Sequence, residues 1–135
     1  VKSLRRAWLL LVLLSVPLAA CQDDGPQGPG SWNVRVRSSG LPPGAATVEL
    51  SGVFIESVEG VGPSSAFGST LQGQVGPPAA WGVVVVSTTV GEMNFLVRVT
   101  DLAEGPPRAV VTSAVDAQNQ PVGVGTFSVD LDVAR

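Results

Sequence analysis

An all-β antiparallel sandwich is the fold this 135-residue sequence predicts, and three observations predict it. The first is alternation: in Trp32-Asn33-Val34-Arg35-Val36-Arg37 the even positions are apolar and the odd ones polar, the period of a strand with one face buried. It returns in Phe127-Ser128-Val129-Asp130-Leu131-Asp132-Val133, where the odd positions turn inward. The second is punctuation, with Gly/Pro-rich breaks at Ser39-Gly40-Leu41-Pro42-Pro43-Gly44, Gly76-Pro77-Pro78 and Gly105-Pro106-Pro107. The third is that no window from Ser31 onward repeats apolar residues at i, i+3, i+4 and i+7 for long enough to make a helix.

Taken in order, the β-rich runs are 32–37, 46–55, 67–75, 81–90, 93–100, 108–116 and 127–133. About seven short strands in about 105 residues correspond to an immunoglobulin-like sandwich. Between two of these runs, Gly91-Glu92 suits a two-residue type II′ turn, because glycine accepts positive φ at the first loop position. That hairpin would set Val90 against Met93, Thr88 against Phe95, Val86 against Val97 and Val84 against Val99, with these side chains facing the core. Val83-Val84-Val85-Val86 is apolar at every position, as in a strand with neighbours on both sides.

The start of the chain follows different rules. Lys2, Arg5 and Arg6 precede the apolar block Ala7-Trp8-Leu9-Leu10-Leu11-Val12-Leu13-Leu14, and Ser15-Val16-Pro17 and small residues follow it. This is the layout of a secretory signal peptide. The block is too short for a spanning helix, which needs about 20 consecutive apolar residues. At Leu18-Ala19-Ala20-Cys21 the segment resembles the lipobox of bacterial lipoproteins. The resemblance implies that residues 1–20 are removed, that the Cys21 thiol carries diacylglycerol, and that Cys21 becomes the first residue of the mature protein. Thiol chemistry suits this role, since a partly ionised thiol is alkylated selectively among many hydroxyls. Two or three acyl chains hold where one is marginal, each buried CH₂ contributing about 0.8 kcal/mol. The partner so implied is a membrane, reached through the lipid on Cys21, and the location is the bacterial cell envelope. In Gram-negative lipoproteins an aspartate directly after the cysteine favours the inner membrane. Gln22 at that position favours the outer one.

Removing residues 1–20 takes away three of eight basic residues and none of eleven acidic ones, leaving five arginines and a formal charge of −6. Nucleic acid is thereby excluded as a partner, because Arg35, Arg37, Arg98, Arg108 and Arg135 are scattered rather than clustered. With Cys21 the only cysteine, no disulfide can form within the chain. Residues 21–30, the lipidated cysteine followed by Gln22-Asp23-Asp24-Gly25-Pro26-Gln27-Gly28-Pro29-Gly30, read as a flexible Gly/Pro-rich linker, and residues 31–135 as the folded domain.

Catalytic chemistry is sparse. The chain has no histidine or tyrosine, and no lysine after residue 20, so Ser-His-Asp, Cys-His and Ser-Lys systems cannot be assembled from it. Asp130 and Asp132 project from one face of the last strand and have the chemistry of a glycosidase pair, or of a solvated strand that discourages edge pairing. Asp101 with Glu104, or Asp116 with Asn119, offers oxygen ligands for calcium, or turn residues bonding their own backbone. Trp32 and Trp81 would stack on sugars if exposed, and pack the core if not. No catalytic, cofactor or metal site is assigned. The expectation is a non-enzymatic interaction or structural module with a protein or glycan partner, the alternative being a calcium-assisted carbohydrate-binding module.

A second resemblance lies in Ala109 to Val122, where Asp116-Ala117-Gln118-Asn119-Gln120-Pro121-Val122 is similar to the D-x-x-G/N-x-P-V turn of bacterial immunoglobulin-like surface domains. It implies a tight turn after a strand, and the same fold class.

Overall fold

A computed structural model describes residues 25–39, 43–73, 77–89, 91 and 93–135. The lipobox, Cys21 and the cleavage region lie outside them. The chain folds as predicted into an all-β sandwich of two antiparallel sheets. There are eight strands: β1 (Gly30–Ser38), β2 (Pro43–Ser51), β3 (Ile55–Gly60), β4 (Ser64–Thr70), β5 (Trp81–Ser87), β6 (Met93–Val99), β7 (Arg108–Asp116) and β8 (Phe127–Val133).

One sheet has the order β3-β6-β1-β8 and the other β4-β5-β2-β7. In each sheet the outer pairs follow one rule: β1 pairs with β8, β2 with β7, β3 with β6 and β4 with β5. The chain is thus a long double ribbon, with legs β1–β4 and β5–β8, folded over so that alternate segments fall in alternate sheets. The β1–β6 and β2–β5 pairings close each sheet. Most connections cross between the sheets, and they gather at two ends. The segments 52–54 and 100–107 lie at the end where β1 starts; 61–63, 88–89 and 117–126 lie at the other.

The core forms between the sheets. Trp32, Val34 and Val36 of β1 and Met93, Phe95, Val97 and Val99 of β6 meet Ala46, Val48 and Leu50 of β2 and Val83 and Val85 of β5, all buried. Phe127, Val129, Leu131 and Val133 of β8 cover its side with the inward parity read from the sequence. Close packing of this kind is what makes removal of a buried ring costly.

Two readings of the strands are corrected. The run 46–55 is split by Gly52, whose φ of +91° ends β2 and sends the chain across to the other sheet. The strand after it, β3, is an edge strand carrying Glu56 and Glu59, and β4, another edge, turns Phe67 outward. The proposed β5–β6 hairpin does not form, since β5 belongs to one sheet and β6 to the other. Val83 and Val85 point inward while Val84 and Val86 point out, the reverse of the parity that the hairpin required. An unbroken valine run carries no alternation to fix its facing. The same run does lie between two neighbours, β4 and β2, as its composition implied.

The folded unit begins before Ser31. β1 starts at Gly30, and the Gly28 backbone N–H donates to Asp101 Oδ1 at 2.9 Å while Leu102 N–H donates to the Gly28 carbonyl at 2.7 Å.

Candidate functional site

The residues singled out for chemistry are occupied with structure. Asp101 Oδ1 accepts from Ala103 N–H at 2.9 Å as well as from Gly28, capping a short 3-10 helix over Leu102–Glu104. Glu104 Oε2 lies 3.4 Å from the Phe54 N–H that donates to it. Asp116 Oδ1 accepts from Gln118 N–H at 2.8 Å and from Gln120 N–H at 2.9 Å. Asn119, with φ of +59°, closes the turn by donating its N–H to the Asp116 carbonyl, and Pro121 bridges back to Val115. The tight turn implied by the Asp116 to Val122 resemblance is therefore present. Among the described residues no cluster of three or more acidic, histidine or cysteine side chains is placed to hold a metal.

Trp32 is 7% exposed and lies in the core, and Trp81 is half-buried against it. A two-ring stacking platform needs both faces open, so the tryptophans offer none.

The carboxylates of β8 meet arginines of β1. Arg35 Nη2 donates to Asp132 Oδ1 at 2.6 Å, and Arg37 Nε approaches Asp130 Oδ2 at 3.2 Å. Both contacts are diagonal, because the register sets Arg35 against Asp130 and Arg37 against Ser128. Such partly solvated pairs contribute only about 0–1 kcal/mol each. Their effect is on character: the outer face of this sheet is polar and charged, with Asn33, Asn94 and Arg98 beside the pairs and Glu59 on the far edge strand. An open groove of about 570 Å³ runs along it between Val61, Leu96, Asn33, Asp132 and Arg135.

The other sheet turns a different face to solvent. Its register places Ser65, Val86, Ala45 and Val115 in one outward row and Phe67, Val84, Thr47 and Ser113 in the next. Neither row carries a charge. Phe67 is 67% exposed, Val84 43% and Val86 40%, and Val110 further along β7 is 45% exposed. The charges on this face, Glu49 and Arg108, sit toward the end where β1 enters. A shallow depression of about 100 Å³ lies between Ala45, Thr47, Val84, Ser113 and Val115. A contiguous apolar patch, as opposed to single exposed apolar residues, marks a surface that is covered in use.

Two features of the sequence hide this surface: the hairpin register puts Val84 and Val86 in the core, and the run 67–75 leaves the facing of Phe67 open. The signal available was Val83 to Val86 itself, since a strand apolar at every position fills two apolar surfaces, only one of which is the core.

No helix among the described residues is long and apolar enough to cross a membrane. Compared with known proteins, the chain matches no established family, no curated protein and no solved structure.

Proposed function

We propose that this chain is an exported bacterial envelope protein, anchored through lipid on Cys21, whose β-sandwich is a binding module and not an enzyme. The observation that carries the binding reading is the pair of uncharged rows on the outer face of β4, β5 and β2, with Phe67, Val84 and Val86 exposed in them. Flat apolar sheet surface recognises apolar protein surface, because its gain comes from removing area from water at about 25 cal/mol per Å². Sugars need convergent hydrogen-bonding groups, whereas the hydroxyls of these rows, Ser65, Thr47 and Ser113, sit on three different strands among apolar residues. The anchor is supported by the lipobox resemblance at Leu18 to Cys21 and by the linker after it. An outer-membrane position is favoured by Gln22.

The test has two readouts. Mass spectrometry of the mature N-terminus should find acylated Cys21, and Cys21→Ser should leave an uncleaved precursor or a chain released from membranes. The lipidated protein, used as bait on envelope membranes, should retain a protein partner that Phe67→Ser with Val84→Asp loses at unchanged melting temperature. Retention unaffected by those substitutions would contradict the assignment of this face.

A further inference from the structure

We propose that the end of the sandwich where the tether enters rests on the bilayer, with Phe54 as its lipid contact, an inference that depends on the lipid anchor at Cys21. Three observations meet at that end.

The first is where free chain stops. Gly28 is bonded on both its N–H and its carbonyl to the 101–102 segment, at 2.9 Å to Asp101 Oδ1 and 2.7 Å from Leu102 N. Gly30 packs directly against the Leu102 side chain, where any Cβ would collide. Seven residue steps therefore separate Cys21 from the docked Gly28. Whatever their conformation, they span at most about 25 Å, at about 3.3–3.6 Å per residue. The nine residues of β1 extend about 30 Å at about 3.3 Å each, so the tether is shorter than the domain is tall.

The second is Phe54. It is 47% exposed and hangs from the same segment that docks the tether: Thr100 N–H donates to its carbonyl at 3.3 Å, and its own N–H donates to Glu104 Oε2 at 3.4 Å. The ring and the tether dock are thus parts of one bonded unit, so the anchor holds Phe54 near the membrane, within the reach of the tether.

The third is the company. At this end Gly52, Leu71, Pro77, Ala79, Ala103 and Pro106 are exposed and uncharged, beside the exposed charges of Glu104, Arg108 and Arg135. A short tether also keeps the local concentration of lipid near this rim high, so a single aromatic contact is enough to bias orientation. The apolar face of β4, β5 and β2 then stands upright from the membrane, open to a partner from the side.

Cys21 is the only native cysteine, so a second one can be labelled without interference once Cys21 is acylated. The full chain with Phe54→Cys, carrying a bimane label, is purified from membranes and placed in phosphatidylethanolamine/phosphatidylglycerol vesicles containing lipids with doxyl quenchers near the headgroup. The comparison is Val124→Cys at the opposite end, where the native side chain is 41% exposed. Ala103→Cys reports the same end as Phe54 if Phe54→Cys fails to fold. The expected result is several-fold stronger quenching at position 54 or 103 than at 124. Equal quenching with acylated Cys21 confirmed by mass overturns the orientation alone. An unmodified N-terminus overturns the anchor, and the orientation with it.

Discussion

The two sheets share one core and differ in what they show to water. On the outer face of β3-β6-β1-β8, every strand contributes polar groups, and the arginines of β1 are matched by aspartates of β8 at 2.6 and 3.2 Å. On the outer face of β4-β5-β2-β7, two full rows carry no charge, and a phenylalanine stands 67% exposed. On the first face the charges of β1 and β8 are compensated within the domain. The second has nothing in the described chain to cover it. Compensation marks surface that stays in water, and uncompensated apolar area marks surface built for contact.

Within β5 the same contrast is compressed into four valines, which makes it the place to break. Val85→Asp puts a carboxylate into the core without a partner and should cost about 5 kcal/mol or more, enough to unfold an ordinary domain. Val84→Asp, one residue away on the outer face, should cost less than about 1 kcal/mol, within the range of strand preference. Paired urea melts measure both. Comparable losses at the two positions would mean that the facing of β5 is misassigned.

Next in size is Phe95→Ala. The ring is wholly buried where β6 packs toward the other sheet, and its loss should cost about 3–5 kcal/mol. Both outer faces depend equally on this core, so binding and stability should fall together here, in contrast to Val84→Asp, where only binding falls.

Sequence legibility follows the same division. β1 and β8 alternate cleanly between apolar and polar because one side of each meets the core and the other meets water, so Trp32, Val34 and Val36 were identifiable as inward. β6 was also legible at Phe95 and Val97. The second sheet was legible only in β2, where Ala46, Val48 and Leu50 face in and Thr47 and Glu49 face out; β5 is apolar on both sides, and β4 is nearly free of inward bulk, with Ala66 and Gly68 on the core side and Phe67 facing out. Period-two reasoning presumes that the outer face is polar, and it loses its signal wherever function makes that face apolar. Asp101 and Asp116 were legible as turn formers, but that Asp101 also fastens Gly28, 73 residues away in sequence, depends on a tertiary contact that spacing does not encode.

A smaller effect probes how firmly the tether end is fixed. Asp101→Ala removes the acceptor shared by Ala103 and Gly28 and should cost about 1 kcal/mol, like the loss of a helix cap. Hydrogen exchange should show the Gly28 amide losing protection while β6 keeps its own. An unchanged Gly28 amide would mean that the dock does not depend on this carboxylate.

The smallest effect belongs to the compensated face. Asp132→Asn breaks the shorter ion pair, yet both side chains are substantially solvated, so the cost should stay below about 1 kcal/mol and shrink further in high salt. Partner retention should not change. A clear loss of binding in this variant would move the contact surface, or part of it, to the charged sheet.

The most direct measurement places a photo-crosslinking amino acid at Val84 and, separately, at Arg35, in the full-length chain in living cells. These positions lie on the opposite outer faces of one domain, so expression, export and anchoring are held constant between them. Protein adducts formed from position 84 and absent from position 35 are the result predicted here. Adducts from position 35 alone, or from neither, would contradict the claim that the apolar face of β4, β5 and β2 is the surface with which this protein works.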